Sequence, residues 1–526
     1  MALGESMNDG RVFLDQRGRK YRIKIPEPLI EPPKNLRIAR PSKPWNVYLR
    51  MLGTVLPAFF LMYTFLYLVL GVTMLEPVIV LSSSLCSAPL VFLIFKLHRP
   101  KLVHVRLAIQ DESGSQIHAL PEGGSLKTPM KTRLSRFIVN DDSILEVPPI
   151  RQLWTLFTVT VFVGIFIAIT YGAVWKTLGT MLFIILAIPL WLIGFSLPVL
   201  AWWGTSNKLL GLPTRRRDAE AWLMAGMASA FPAFIFNSLI APELVPFDEG
   251  GWAYEISLLA VGAPIAEEVF KAAAIAIFLP VMKGPKHGFQ IGFTVGLGFA
   301  LIENFQYIGV SVLGGPISVS MTILLRGVGS IPGHAIWSAI AGTAIGWMAT
   351  DREFKAKISW KARSMAISAI DIAEGLGIDT DGDGDLSGFD GNRPTLEEAI
   401  STASVGSYEE ENHWMILNNS NDSSSKSAKI PVLGVSDFSM FYDKSPAPKK
   451  SSGIKTPSRL SSALCLSIAG HSFWNGSSYL SFFAPTEWLG FSDLQGLGVM
   501  FIWTVFLISS VLIVARGLIS GVNSLE

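Results

Sequence analysis

The sequence predicts an all-α polytopic membrane protein of about ten transmembrane helices. Two observations carry that expectation. Half of the residues are hydrophobic, only 16% are charged and the mean hydropathy is +0.42, far more apolar than a soluble chain of 526 residues. Apolar runs of about 20 residues or more, enough for roughly 30 Å of hydrocarbon, recur near 51–73, 77–97, 153–175, 179–203, 220–241, 252–280, 288–313, 317–349, 461–484 and 493–515. The net charge of +2 matters less than its distribution. Loops on one side hold Arg215, Arg216, Arg217, Lys283, Lys286, Arg352, Lys355 and Lys357, and those on the other hold Glu76, Glu243, Asp248, Glu249 and Glu487. The expectation is a multi-pass protein of the cell membrane with N- and C-termini cytoplasmic.

Residues 1–47 read as a cytoplasmic basic arm. Within it RVFLDQRGRKYRIKI holds two short alternating runs around Asp15 to Gly18, a hairpin signal, before a proline-punctuated linker. No cleavable signal is visible, and the first apolar run, beginning near Met51, is expected to act as an uncleaved anchor. Residues 48–98 hold helices one and two, and 99–150 a small cytoplasmic β-rich segment. There KLVHVRLAIQ and RLSRFIVNDDSILEV alternate as strands do, and Gly114, Gly123 and Gly124 mark turns. Helices three to eight occupy 151–350, a cytoplasmic insertion 351–459, and helices nine and ten 460–526. The insertion ends in a Ser, Asn, Lys and Pro-rich tail expected to be disordered. Cys86 and Cys465 lie in apolar runs at no metal spacing and read as packing residues. The sequons at Asn418, Asn421 and Asn475 read as incidental.

Charge in the middle of an apolar span costs roughly 2.5–3.5 kcal/mol per residue on insertion scales. Glu267 and Glu268 stand near the middle of the sixth run, Glu303 of the seventh, His334 of the eighth and His471 of the ninth. Four consecutive spans thus put ionisable groups in one layer. Each has a polar neighbour one helical turn away on the same face: Lys271 for Glu267, Tyr307 for Glu303, Ser338 for His334 and Asn475 for His471. Lys271 reads as structural, neutralising one of the adjacent glutamates, and Asn237, Glu255 and Arg326 are given no role. Gly288, Gly292 and Gly296, with Gly333, Ala341, Gly342 and Gly346, are small residues that let helices approach closely. A carboxylate and two histidines at one depth either hold a divalent metal or activate water directly, with histidine and asparagine polarising the attacked carbonyl. Spacing does not separate the two.

With these residues in view the sequence resembles the PrsW family of intramembrane proteases, related to the CAAX-processing and bacteriocin-processing membrane proteases. The resemblance rests on AEEVFK at 266–271, GFALIENFQY at 298–307, GHAIWSAIAG at 333–342 and GHSFWN at 470–475, in the family's order. It implies hydrolysis of peptide bonds in membrane-anchored protein substrates, with the lipid bilayer as the other partner and no nucleic acid. It further implies catalytic roles for Glu267, Glu268, Glu303, His334, His471 and Asn475. In a metal-free mechanism Glu267 with His334 would activate water, and His471 with Asn475 would form the oxyanion hole. As a metalloprotease, the family's usual label, the chain would use His334, His471 and Glu268 as zinc ligands. The absence of a His-Glu-x-x-His cluster tips the expectation toward the metal-free form.

The insertion carries DTDGDGDLSGFD at 379–390. Asp379, Asp381, Asp383, Asp385 and Asp390 fall in the register of an EF-hand-like loop for calcium, or for magnesium given the short Asp at the last position, with Gly384 at the sharp turn. Both flanks read as helices, and calcium regulation of substrate access is the expectation. Two other classes compete with the enzyme. An ion- or proton-coupled membrane transporter also needs midplane carboxylates and histidines, although the first five spans lack a matching set of polar breaks. The other is a catalytically silent, calcium-sensing scaffold.

Overall fold

The computed structural model describes residues 12–14, 20–22, 36–40, 43–99, 101–119, 125–377, 388–389, 393–404, 413–416 and 453–525, which fall into two compact units. The first is built of strands. β1 (Val12–Leu14) and β2 (Lys20–Arg22) pair antiparallel where the hairpin was predicted. β3 (Leu36–Ala39) precedes two long strands, β4 (Leu102–Ala119) and β5 (Ser125–Asn140), which pair antiparallel. Alternation points one face inward: Val103 lies opposite Val139 and Val105 opposite Phe137, and these four form a small buried core with Ile38 of β3. β3 also pairs in parallel with β6 (His413–Ile416), a strand of the insertion that the sequence does not announce.

The second unit is helical. Its elements are α1 (Pro44–Thr73), α2 (Pro77–His98), α3 (Ile150–Ile169), α4 (Lys176–Leu210), α5 (Arg216–Ile235), the short α6 (Ala241–Leu244) and α7 (Trp252–Ser257), and α8 (Ala263–Ala276). There follow α9 (Pro285–Ser311), α10 (Gly315–Leu325), α11 (Ile331–Met348), α12 (Arg352–Gly375), α13 (Leu396–Ser404), α14 (Leu460–Phe483) and α15 (Asp493–Val522). Widened π-helical turns interrupt the array at Phe236–Ile240, Leu258–Gly262 and Arg326–Ser330, among others. Such turns commonly mark functional sites. Here the second leads into α8 and the third into α11, two helices of the polar layer.

Among the described residues seven helical stretches are long and apolar enough to cross a membrane, against the ten spans expected. The difference has a physical cause. One stretch, Pro285–Met348, covers 64 residues and doubles back at Val312–Gly314, where Gly315 takes φ +82°, so that two expected spans are counted together. The stretches holding α8 and α14 fail on composition because they carry the polar residues of the layer. The chain is a multi-pass membrane protein.

The centre of the unit is the α9–α11 hairpin. A Cβ at Gly288 would lie 2.2 Å from the Gly342 carbonyl oxygen, one at Gly292 2.4 Å from that of Ser338, and one at Gly296 2.4 Å from that of His334. Three glycines four residues apart therefore bring two backbones into contact, as expected. Gly333 differs: its missing Cβ makes room for the Trp337 indole of its own helix.

The insertion begins with α12, capped by the Asp351 carboxylate accepting from Phe354 N at 3.0 Å. Lys355 Nζ donates to Met282 O at 2.6 Å, tying α12 to the turn that follows α8. Helices α12 and α13 flank the acidic loop as predicted, while Asp379, Asp381, Asp383, Asp385 and Asp390 lie outside the described residues. The end of the tail expected to be disordered is in fact docked: Ile454 N donates to Gly517 O at 2.9 Å, and the bare backbones of Gly517 and Gly521 admit it. Asn418 and Asn421 lie outside the described residues. Cys86 and Cys465, expected to pack inside, are free thiols exposed on the outer faces of α2 and α14.

Candidate active site

Helical spacing places the first part of the site. Glu267 and Lys271 are one turn apart on α8, with Glu268 three residues before the lysine. α9 brings Glu303, α11 His334 and α14 His471. The layer inferred from four separate apolar runs is one cluster. Glu268, Lys271, His334 and His471 are each no more than 2% exposed, so every charge must be answered from within.

The answers alternate in sign. Lys271 Nζ lies 2.5 Å from Glu268 Oε1 and donates to His334 Nδ1 at 3.2 Å. His334 Nε2 meets Glu303 Oε2 at 2.7 Å, and the same oxygen lies 2.6 Å from Arg326 Nη2. Glu268 Oε1 also accepts from His471 Nδ1 at 3.0 Å. Glu267 is held more loosely, with Asn237 Nδ2 donating to its Oε1 at 3.4 Å. Glu268 thus has Lys271 as counter-ion and Glu303 has Arg326, whereas the Lys271 ammonium comes only to 4.0 Å from Glu267.

These partners dictate where protons sit. His334 accepts at Nδ1, so its proton is on Nε2, the nitrogen 2.7 Å from Glu303 Oε2. His471 donates at Nδ1, so Nε2 carries a lone pair. That lone pair faces Glu267 Oε2 at 3.8 Å, and this oxygen receives no hydrogen bond among the described residues. Two bare acceptors facing each other in a buried site call for a proton donor or a cation between them. A water giving one hydrogen to each would be polarised toward hydroxide.

The structure brings together Glu267, Glu268, Glu303, His334 and His471, and pairs them differently from the family-based expectation. His334 partners Glu303 and Lys271, while His471 is the histidine facing Glu267. Asn475 Nδ2 donates to Leu259 O at 3.1 Å, at the π-helical turn before α8, and so is engaged with backbone. Lys271 neutralises Glu268, as read from the sequence. Tyr307 packs its ring 4.1 Å beneath the Arg326 guanidinium, and Ser338 is buried with its hydroxyl unpartnered among the described residues. Glu255 has no described link to the cluster.

Three members were missed. Arg326 is a lone cation inside an apolar run, which is itself a signal. Asn237, noted in the sequence but given no role, sits in the π-helical turn Phe236–Ile240. Trp337 stacks flat on the His471 imidazole, with ring centroids 4.6 Å apart and planes 13° apart, and stands edge-on to His334. Gly333 and Gly470, the residues just before the two histidines, both vacate space for that indole. The doubled Gly-His pattern in the sequence was the available sign.

A divalent metal fits this site by residue type and spacing. Glu267, His334 and His471 offer one ligand atom each, all within 4.8 Å of one another. Glu267 and His471 present free lone pairs. His334 would first have to exchange one of its present partners. The carboxylate of this group is Glu267; Glu268, the ligand the resemblance implied, has its Oε1 shared by Lys271 and His471 and its Oε2 without a hydrogen-bond partner among the described residues.

Fold and site together define a multi-pass membrane protein with a buried acid–histidine centre. Residues 219–370, less than a third of the chain, match the family model described as PrsW family intramembrane metalloprotease. The match contains Glu267, Glu268, Glu303 and His334 and ends before His471, which the fold brings in through α14. No curated protein and no solved structure matches the chain.

Proposed function

We propose that the chain is an endopeptidase that hydrolyses peptide bonds of membrane-anchored protein substrates at the Glu267–His471 centre, with both termini cytoplasmic as the Lys/Arg asymmetry supports. The observation that carries this reading is the pair of facing acceptors, Glu267 Oε2 and His471 Nε2, 3.8 Å apart in a buried site. Glu267 takes a proton from water as the oxygen adds to the substrate carbonyl carbon. The carbon–nitrogen bond then breaks, and the proton passes to the leaving amine. His471, oriented by Glu268 and braced by Trp337, shares the water. Lys271 and the His334 Nε2–H, held by Glu303, supply positive potential for the oxyanion. Asn475 joins them only by releasing Leu259 O.

Glu267, His334 and His471 would hold a zinc ion if one binds. It would add Lewis-acid polarisation of water and carbonyl. With both His334 nitrogens engaged in the cluster, we expect cleavage to persist after exhaustive chelation. Zinc bound one per chain in the purified protein, and lost in both His334→Ala and His471→Ala, would assign the metal to the mechanism instead. Function is tested on protein reconstituted in liposomes with membrane-anchored peptides: cleavage supports the protease, and ion flux without cleavage supports a transporter.

Calcium, or magnesium, at Asp379, Asp381, Asp383, Asp385 and Asp390 is the regulatory part of the proposal. Its support is the ligand register and the way α12 and α13 are closed on each other. Arg393 Nη2 reaches Asp371 Oδ1 at 2.8 Å, and Phe389 N donates to the same oxygen at 2.9 Å. These bonds hold the Asp371 carboxyl below its usual pKa, the Arg393 hydrogen bond foremost. Calorimetric titration of the full chain is expected to show one calcium site that Asp381→Ala and Asp383→Ala remove. Heats unchanged by those substitutions would discard it.

A further inference from the structure

The protein has a second charged device at the rim of the site. Arg326 opens the π-helical turn Arg326–Ser330 that leads into α11, the helix of His334. From there its side chain crosses to α9 and meets three residues of one helical turn. Nη2 lies 2.6 Å from Glu303 Oε2, Nε donates to Asn304 Oδ1, and the guanidinium lies 4.1 Å over the Tyr307 ring. Carboxylate, amide oxygen and aromatic face together fix the planar fork in one orientation.

The rim is also where the cluster opens. The Glu303 and Arg326 side chains are 20% and 15% exposed and Tyr307 is 49% exposed, whereas Lys271, Glu268 and both histidines are buried. Glu303 contacts His334 at Nε2 and Lys271 contacts it at Nδ1, so a Glu303 carboxylate released by Arg326 has Lys271 as an alternative cation. If Glu303 turned to Lys271, Glu268 would lose its counter-ion and His334 Nδ1 its donor. The proton on His334 Nε2 would lose the acceptor that keeps it there.

We propose that Arg326 is a positioning residue: by holding Glu303 on His334 Nε2 it reserves Lys271 for Glu268 and leaves Glu267 as the carboxylate free to act on water. The inference rests on the peptidase reading for its kinetic consequences but not for its structural one. A lysine can replace the charge while losing the fork, so Arg326→Lys should retain part of the effect, and Arg326→Gln little.

The test has two arms. In reconstituted protein with a membrane-anchored peptide, Arg326→Gln should lower kcat by about a hundredfold with KM changed less than about threefold, and Arg326→Lys should recover at least about tenfold of that loss. The Glu303→Gln/Arg326→Gln double variant should be no slower than Glu303→Gln alone, since the arginine acts through that carboxylate. Nitrogen-15 spectra of histidine-labelled protein read the His334 tautomer without turnover: Nε2–H in wild type and Arg326→Lys, and a mixture in Arg326→Gln. Additive losses in the double variant, or an unchanged tautomer in Arg326→Gln, overturn the role of Arg326. A wild type that cleaves nothing yet shows the tautomer dependence removes the peptidase reading and leaves the positioning role standing.

Discussion

Glu267→Gln is expected to lower turnover of a membrane-anchored substrate by about a thousandfold or more, the scale of losing a general base from a buried site. Gln keeps the shape of the side chain, and its amide oxygen still accepts from Asn237 Nδ2 as Oε1 does now. The other oxygen, Oε2, receives no hydrogen bond among the described residues, so replacing it breaks none. The fold therefore stays while the base goes. Thermal unfolding in detergent should be nearly unchanged, and turnover within tenfold of wild type would remove Glu267 from the role of base.

The largest effect on stability is expected at Lys271. Its ammonium is completely buried, 2.5 Å from the Glu268 carboxylate and 4.4 Å over the Phe299 ring. Lys271→Met fills the space and leaves Glu268 ionised without its cation, which costs about 3–5 kcal/mol when one partner of a buried pair is removed. Adding Glu268→Gln removes the stranded charge and keeps an oxygen for His471 Nδ1, so the double variant should regain most of the loss. Unfolding in a denaturing detergent series measures both. A single variant as stable as wild type would mean that Glu268 is not an ionised partner of Lys271.

Much of the site was legible because the membrane makes charge expensive. Glu267, Glu268, Glu303, His334 and His471 stand out in apolar runs, and their common depth follows from counting residues along each run. Pairing was not legible, because which histidine faces which glutamate depends on the rotation of α11 and α14 about their axes. That rotation is set by contacts such as Gly292 against Ser338 and Gly470 against Trp337, which no single run reveals. The same limit hid Arg326: its depth was readable, but its crossing to Glu303 requires the π-helical turn. The span count departed from ten partly for the converse reason, since the stretches holding α8 and α14 carry polar residues of the site, and partly because Pro285–Met348 takes in two expected spans. The cysteines faced outward because a lipid-facing surface is as apolar as a core, so hydropathy alone does not separate the two.

The most direct test of the central claim is mass spectrometry of the products made by the reconstituted protein in H2(18)O. Hydrolysis by water at Glu267 and His471 predicts cleavage within or beside the membrane anchor of the substrate. It also predicts one heavy oxygen in each new carboxyl terminus and no products from Glu267→Gln. Intact substrate after incubation with folded wild-type protein, or identical products from Glu267→Gln, would contradict it.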